Sequence, residues 1–193
     1  NISPDGQLQV MIQNHNLVLK NLKTNRETSL TRDAGEKDGY RGQIIWAPDS
    51  SRFVAMRTKA GDGRTIYLIE STPRDQLQPK LVSLPYDKPG DNLDQHIPHL
   101  FDAKTEKEIP ISNTMFPNPW SITNLRWKSD SSRFTFLYNQ RGHQVLRLIA
   151  VNAGNGEAIS LAEETSKTFV DYNHKTYLHW LREDLGFIWM SER

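Results

Sequence analysis

The sequence predicts an all-β fold, a partial β-propeller of about three four-stranded antiparallel blades followed by the first hairpin of a further blade. In one repeated pattern an apolar strand that ends near a tryptophan leads into an Asp-containing turn, and a second apolar strand follows. The first copy of this pattern is shorter and lacks the tryptophan. Copies lie around Asp5, Asp49 and Asp130. In the other, a strand leads into a polar loop, and a strand resumes after a glutamate. These loops start at Asn21, Asp102 and Asn152. Joined, the two patterns give four short strands, and four-strand units of about 40–50 residues are typical of propeller blades.

Composition narrows the possible functions. The chain has 193 residues, with 24 basic and 23 acidic side chains and a net charge of +1. This balance does not favour nucleic acid as a partner. Cysteine is absent, which excludes disulfides and thiol chemistry, and we expect no cofactor. The apolar run 145–151 contains Arg147 and is too short to span a membrane. Because the chain begins at Asn1 rather than Met, we expect an excised segment whose export signal would lie upstream.

The turns of the first pattern follow from their residue types. Proline presets the backbone angle of a turn, aspartate accepts the amide two residues on, and glycine or serine tolerates the tight exit. We predict a single propeller domain over residues 1–193, with an insertion in the middle unit near 71–98. The four units are expected at residues 1–35, 40–115, 121–165 and 175–193.

Two apolar runs predict where the strands are buried. Phe53–Met56 and Ile66–Ile69 are continuously apolar, whereas a strand with one wet face alternates. Blades stacked face to face would cover both sides of such strands. We therefore expect both runs inside the fold.

The last unit is predicted as a hairpin, with strands at 177–180 and 187–190 around a turn at 183–186. Closed propellers have typically four to eight blades, so this arc is not expected to close alone. Its end blades would expose apolar surface and unpaired edges. We expect those ends to pack against another copy or to be disordered.

With these units in place, the chain resembles the N-terminal β-propeller domain of the dipeptidyl peptidase IV branch of the prolyl oligopeptidase family of serine peptidases. The Tyr-x-Lys-Pro-Gly phrase within the insertion is the most specific of the shared segments. They are 46–50 (WAPDS), 70–73 (ESTP), 86–91 (YDKPGD), 138–144 (YNQRGHQ) and 189–193 (WMSER).

The resemblance implies an eight-bladed propeller that covers an α/β-hydrolase domain with a Ser-Asp-His triad. This chain has no Gly-x-Ser-x-Gly motif, so we expect no catalytic residue in it, although the parent protein is expected to be a serine peptidase. The resemblance further implies that the segment gates access and helps to recognise peptides. Implied partners are a peptide substrate and the hydrolase domain of the same chain, with a second copy of the protein as a further option and no nucleic acid. A periplasmic or extracellular location is implied as well.

The family's propeller holds the substrate's amino terminus with a glutamate pair just before a Trp-x-Pro strand. The matching segment here, 31–40, has no adjacent glutamates. Glu163 and Glu164 are adjacent, but we expect them after the last strand of the third unit. Dipeptidyl specificity therefore stays open. The family's substrate-binding arginine would lie upstream of Asn1.

Asn139, Gln140 and Arg141 are the candidate substrate-binding residues. They are expected in the loop between the second and third strands of the third unit, where the planar guanidinium of Arg141 suits a carboxylate or carbonyl. The alternative is a solvated hairpin turn with Gly142 at positive φ.

Two other sets of residues are weaker candidates for a functional site. Asp94, His96 and His99 lie close together in one predicted loop without a distant partner, so we predict polar surface and no metal site. The segment 116–120 (FPNPW) is expected either to plug a neighbouring blade or to contact another domain.

Two further functions remain open. A stand-alone binding module of the TolB or WD40-like kind uses the same turn, and an inactive family member would serve in protein interaction. A Gly-x-Ser-x-Gly motif downstream would favour the peptidase.

Overall fold

The computed structural model describes residues 1–191, and within that range the chain is built almost entirely of β-strands. The first seven strands are β1 Leu8–Gln13, β2 Asn16–Asn21, β3 Glu27–Ser29, β4 Asp38–Trp46, β5 Arg52–Lys59, β6 Thr65–Glu70 and β7 Lys80–Pro85. The other eight are β8 Gln95–Asp102, β9 Lys107–Ile109, β10 Pro119–Trp127, β11 Arg133–Gln140, β12 Val145–Asn152, β13 Ala158–Thr165, β14 Leu178–Trp180 and β15 Phe187–Trp189. Two short 3-10 helices span Asn113–Met115 and Arg182–Asp184. Within that range, no helix has the length and apolar character needed to cross a lipid bilayer.

The strands form the partial β-propeller that the repeats predict. Blade 1 contains β1–β2–β3, blade 2 contains β4–β5–β8–β9, and blade 3 contains β10–β11–β12–β13, all antiparallel. β14 and β15 form the final hairpin, and β6 pairs only with β7 in a hairpin between β5 and β8. The division into units at the expected bounds, and the single domain over 1–193, stay predictions. Glu192 and Arg193, the end of the last shared segment, lie outside the described residues.

Aromatic cores fill the spaces between the blades. Phe134, Phe136 and Tyr138 on β11 are fully buried in the core shared with blade 2, where Phe116 packs edge-on against Phe136. Leu137, between them in sequence, lies in the core on the opposite face of blade 3. Successive side chains of a strand point to opposite faces, so one strand supplies two cores.

One apolar run is buried as expected and the other is not. In β5, Phe53 faces the core with blade 1 and Val54 the core with blade 3, so the first run is covered on both sides. In β6, Tyr67 and Ile69 are 68% and 70% exposed, so the expected burial of Ile66–Ile69 is wrong. The reason is topological, because β6 lies in the excursion between β5 and β8 and no blade covers it. That excursion occupies residues 60–94, and hence starts before the expected position near 71.

The repeated turns lie at one end of the blades, which we call the turn rim and define by residues 4–7, 48–51 and 129–132. Within each turn the aspartate Oδ1 accepts the amide two residues on, as predicted. The acceptor–donor pairs are Asp5–Gln7, Asp49–Ser51 and Asp130–Ser132, each at 3.0 Å.

The same turns also connect neighbouring blades. The Ser50 hydroxyl accepts the backbone N–H of Asp5 at 3.0 Å, and the Ser131 hydroxyl accepts that of Asp49 at 3.1 Å. The indole of Trp127 donates to the carbonyl of Ile45 at 3.0 Å, and that of Trp46 donates to the carbonyl of Asn1 at 3.4 Å. The repeated tryptophan and serine therefore hold each blade to the preceding one.

The opposite end of the blades is the connection rim, defined by residues 60–94, 141–144 and 166–177. It carries the excursion of blade 2, the short turn between β11 and β12, and the linker from β13 to β14. Loops on a rigid scaffold are where binding residues concentrate, so this rim is the expected location of a binding site.

Candidate functional site

A polar pocket opens on the connection rim between blades 2 and 3, with a volume of about 250 Å³. Its polar lining consists of Lys59, Asp62, Asn92, Gln95, Asn118 and Arg141.

Four separate parts of the chain meet at this pocket, namely 59–62, 92–95, 118–119 and residue 141. Lys59 ends β5 and Gln95 begins β8, and the two are register partners across the sheet. The backbone N–H of Arg141 donates to the carbonyl of Asn118 at 3.1 Å, which fixes the β11–β12 turn against the start of β10. Gln95 Nε2 approaches Asn118 Oδ1 at 3.4 Å and so bridges blades 2 and 3. The pocket therefore depends on the register of both blades.

The charges of the pocket are only partly paired. The Asp62 carboxylate accepts the backbone N–H of Asn92 at 3.0 Å and its side-chain amide at 3.2 Å. These hydrogen bonds hold the pKa of Asp62 below its usual range, helped by the nearby positive charges of Arg64 and Arg141. The side chains of Lys59 and Arg141, by contrast, form no hydrogen bond or ion pair with any described residue.

The structure separates the three candidate residues. Arg141 lines the pocket, whereas Asn139 and Gln140 belong to β11 instead of the loop. Asn139 is buried and shares the face of Leu137, directed away from blade 2. Gln140 pairs with Pro119 at the strand end. Gly142 has φ +94°, as the turn alternative requires. Substrate binding by Asn139, Gln140 and Arg141 stays a prediction.

Asn139 belongs to an aromatic group on the other side of blade 3. Its Oδ1 lies 3.2 Å from Nδ1 of His143, and its Nδ2 is buried without a hydrogen-bond partner among the described residues. The His143 ring stacks on Tyr172 at 4.3 Å and meets Trp120 and Phe169 edge-on at 4.9 and 5.6 Å. Burial lowers the pKa of His143, so a neutral imidazole is favoured.

This group includes residues that sequence reasoning missed. Phe169 and Tyr172 come from the β13–β14 linker, and Phe169 and Trp120 are about half exposed. The signal for this group in the sequence was the presence of two aromatic residues in that linker. Within the segment 116–120, Phe116 is the buried plug while Trp120 reaches the surface.

The segment 31–40 holds two of its three carboxylates, Asp33 and Asp38, in ion pairs. Arg57 of β5 binds Asp38 through Nε at 2.7 Å and Asp33 through Nη1 at 2.8 Å. Its guanidinium also lies 5.6 Å from the ring centre of Tyr40. The hydrogen bond from Arg57 lowers the pKa of Asp33. The positive charge of Arg57 thus partly neutralises Asp33 and Asp38.

The adjacent glutamates lie elsewhere than expected. Glu163 and Glu164 are within β13, because that strand continues to Thr165. Glu163 pairs with Arg147 of the neighbouring strand, and Glu164 is buried.

The histidines do not converge. His96 and His99 are three positions apart on β8 and therefore point to opposite faces. His96 Nδ1 lies 2.9 Å from the Thr58 hydroxyl, and His99 Nδ1 lies 2.7 Å from Glu108. In residues 1–191, apart from the side chain of Glu183, no three His, Asp or Glu side chains are grouped to hold a metal ion.

Comparison with known proteins agrees with this architecture. The model of the family described as "Dipeptidyl peptidase IV (DPP IV) N-terminal region" matches residues 1–193. The dipeptidyl peptidase 4 of Porphyromonas gingivalis has a similar fold, with a TM-score of 0.70 and 16% identity. The match covers 100% of this chain and 29% of that one. A protein of Bacteroides ovatus assigned as a dipeptidyl aminopeptidase IV matches with a TM-score of 0.58 and 16% identity, over 95% of this chain and 32% of its own.

The chain thus spans about a third of the length of these two proteins. At this identity the likeness to them shows the fold alone. The family model, in contrast, matches every residue from 1 to 193, so the chain belongs to the dipeptidyl peptidase IV N-terminal region family.

Proposed function

We propose that this chain is the propeller segment of a dipeptidyl peptidase IV-like serine peptidase, where it gates access to the active site and contributes to peptide recognition. Membership of the family and the fold of the two peptidases support this assignment. The single observation that carries the recognition role is the position of Arg141. Its side chain lines a pocket on the connection rim and forms no hydrogen bond or ion pair with any described residue.

The physical basis is selection by shape and by hydrogen bonding. A short peptide enters a confined opening in an extended conformation, whereas a folded protein does not. Its backbone groups then need partners, and Asn92, Gln95 and Asn118 offer side-chain amides at the pocket. Bond cleavage belongs, in this proposal, to a hydrolase domain of the parent protein.

The recognition role is tested by Arg141→Ala in the full-length protein. We expect the KM for short peptides to rise about five- to tenfold with kcat unchanged, because a lost hydrogen bond to bound substrate that persists in the transition state changes only KM. Arg133→Ala is the matched control, since Arg133 is an exposed arginine at the turn-rim end of β11.

Two results would contradict the proposal. One is an unchanged KM in the Arg141→Ala protein. The other is a full-length protein that hydrolyses no peptide, which would favour the stand-alone binding module.

We also propose that the β6–β7 hairpin is the surface through which two copies of the protein associate. Its exposed apolar side chains lie along both strands, and the hairpin has unpaired edges on both sides, which invite pairing with another chain. The residues are Tyr67, Leu68, Ile69, Leu81 and Leu84.

The base of the hairpin is held rigidly, which favours association by lowering the entropy lost on binding. Asp62 donates its backbone N–H to the carbonyl of Asn92 at 2.8 Å, and Gly61 donates to the Asp94 carboxylate at 2.7 Å. Arg64 Nε pairs with buried Asp91 at 2.8 Å.

Association is tested with the double variant Ile69→Ser and Leu81→Ser, two register partners in the hairpin. We expect sedimentation velocity of the full-length protein to change from a dimer to a monomer. Ile159→Ser removes a 47% exposed side chain from β13 and should leave the dimer intact. A wild-type monomer, or a dimer that survives the double substitution, would refute this role.

A further inference from the structure

The geometry points to a carboxylate-binding subsite in the pocket on the connection rim, with Lys59 and Arg141 as the two groups that receive the carboxylate. The carboxylate belongs to a peptide, as its C-terminus or as an Asp or Glu side chain. This inference rests on the proposed peptide-recognition function and names its chemistry.

The charge balance of the pocket favours an anion. Two cations, Lys59 and Arg141, line it together with one carboxylate, that of Asp62. Asp62 already accepts two hydrogen bonds from Asn92 and lies 3.9 Å from Nε of Arg64. The charge of Arg141 is felt by Asp62, but neither cation forms a hydrogen bond or ion pair with a described residue, so the two cations outnumber the one lining carboxylate and attract anions.

The two cations come from separate blades. Lys59 lies at the end of β5, in register with Gln95 at the start of β8. Arg141 is fixed by its backbone bond to Asn118 at the start of β10. An anion bound by both side chains would join blade 2 to blade 3.

The chemistry of the two cations and of Asp62 favours a carboxylate over other anions. The planar guanidinium fork of Arg141 matches the two oxygens of a carboxylate, and Lys59 adds a point charge. Because Asp62 also lines the pocket, a singly charged carboxylate fits better than a doubly charged phosphate. The volume of about 250 Å³ suits one terminal residue more than a larger ligand.

The test uses the full-length protein and two matched pairs of peptides whose binding is measured by calorimetry. N-acetyl-Ala-Ala is compared with its C-terminal amide, and N-acetyl-Glu-Ala amide is compared with N-acetyl-Gln-Ala amide. The first pair reports on a terminal carboxylate and the second on a side-chain carboxylate. We expect the acid of at least one pair to bind about tenfold more tightly than its neutral counterpart, because hydrogen bonds between charged groups are the stronger ones.

The variants Arg141→Gln and Lys59→Gln should each reduce that preference to about threefold or less, and the double variant should abolish it. Arg133→Gln at the turn-rim end of β11 should leave it unchanged. The preference should also weaken as the salt concentration rises, because the pocket is open to solvent. Both substituted side chains reach the surface, and circular dichroism checks that each variant folds.

Each outcome has a defined meaning. If acid and amide bind equally well while Arg141→Gln weakens both, peptide recognition stands and the carboxylate subsite is wrong. If an acid preference exists but persists in both variants, the carboxylate binds elsewhere. If none of the peptides binds, the subsite and the recognition function fail together.

Discussion

At the residue scale, the turn between β14 and β15 has an aspartate, Asp184, at the position where the two preceding turns have a serine. This difference changes the chemistry of the contact between blades. Asp184 adopts φ +56°, close to the +62° of Ser50 and the +59° of Ser131, and each follows its tryptophan by four positions. Its carboxylate accepts the backbone N–H of Ser129 at 2.7 Å and pairs with Arg126. A charged acceptor thus stands where the other turns use a hydroxyl.

This charge makes the contact pH-dependent. Hydrogen bonds from Ser129, with the Arg126 guanidinium beside it, lower the pKa of Asp184 to about 2, against roughly 3.9 in an unfolded chain. The folded state therefore gains from ionised Asp184 above about pH 4, and this gain is lost as the pH falls to about 2.

We expect Asp184→Asn to reduce the hydrogen-exchange protection of the Ser129 amide about fivefold at pH 6 and to have little effect well below pH 2, where the carboxyl group is protonated. Asp75→Asn, which removes an exposed partner of Lys80, is the control and should not alter Ser129 at either pH. An equal effect of Asp184→Asn at both pH values would exclude ionisation as the cause.

Single residues also mark what the sequence can predict. The aspartate turns were predictable because an Asx turn needs only neighbours two positions apart. The pairing of Arg57 with Asp33 and Asp38 was not, since it requires the β4–β5 register, which brings Asp38 opposite Lys59 and Tyr40 opposite Arg57. Asn139 is an intermediate case, because extending β11 to Gln140 would have placed Asn139 on the face opposite buried Tyr138 and left Arg141 in the turn after the strand.

At the element scale, the β6–β7 hairpin shows why an apolar run can mislead. Composition makes Ile66–Ile69 equivalent to Phe53–Met56, and only the partner strand distinguishes them. β5 pairs with strands on both sides, whereas β6 has β7 alone. Burial is therefore a property of the sheet in which a strand lies, and local sequence does not contain it.

The base of this hairpin depends on a glycine. A Cβ on Gly61 would lie 2.2 Å from the carbonyl oxygen of Asn92, so Gly61→Ala forces the two crossing segments apart. We expect cleavage within residues 60–94 by a low concentration of protease to become at least threefold faster. The matched control is Gly35→Ala, since a Cβ on Gly35 has no atom within 4 Å. Equal cleavage rates in the two variants would mean that the close approach at Gly61 does not hold the hairpin.

At the scale of the whole molecule, counting the repeats predicted the architecture correctly. Strand, turn and strand recur with a fixed tryptophan and a fixed serine, and the structure gives both residues the same contacts in successive blades. The pocket could not be predicted in this way. It forms where the excursion of blade 2 meets the β11–β12 turn, and sequence spacing carries no measure of that distance.

The contacts between blades should contribute measurably to the stability of the whole arc. Ser131→Ala leaves the partly buried N–H of Asp49 without its acceptor, so we expect the free energy of unfolding in urea to fall by about 1–2 kcal/mol. Ser83→Ala changes an exposed serine of β7 whose hydroxyl forms no hydrogen bond with a described residue, and it should change stability by less than about 0.5 kcal/mol. A loss of the same size in both variants would show that the Ser131 hydroxyl does not hold blades 2 and 3 together.

The hydrogen bonds by which the repeated turns connect neighbouring blades all lie at the turn rim, and this has an evolutionary consequence. Lengthening a connection at the connection rim breaks none of these bonds, so a propeller can acquire insertions there without losing the contacts between its blades. The 60–94 excursion is an instance of such growth. Related propellers should accordingly differ in loop length at the connection rim and have short turns of uniform length at the turn rim.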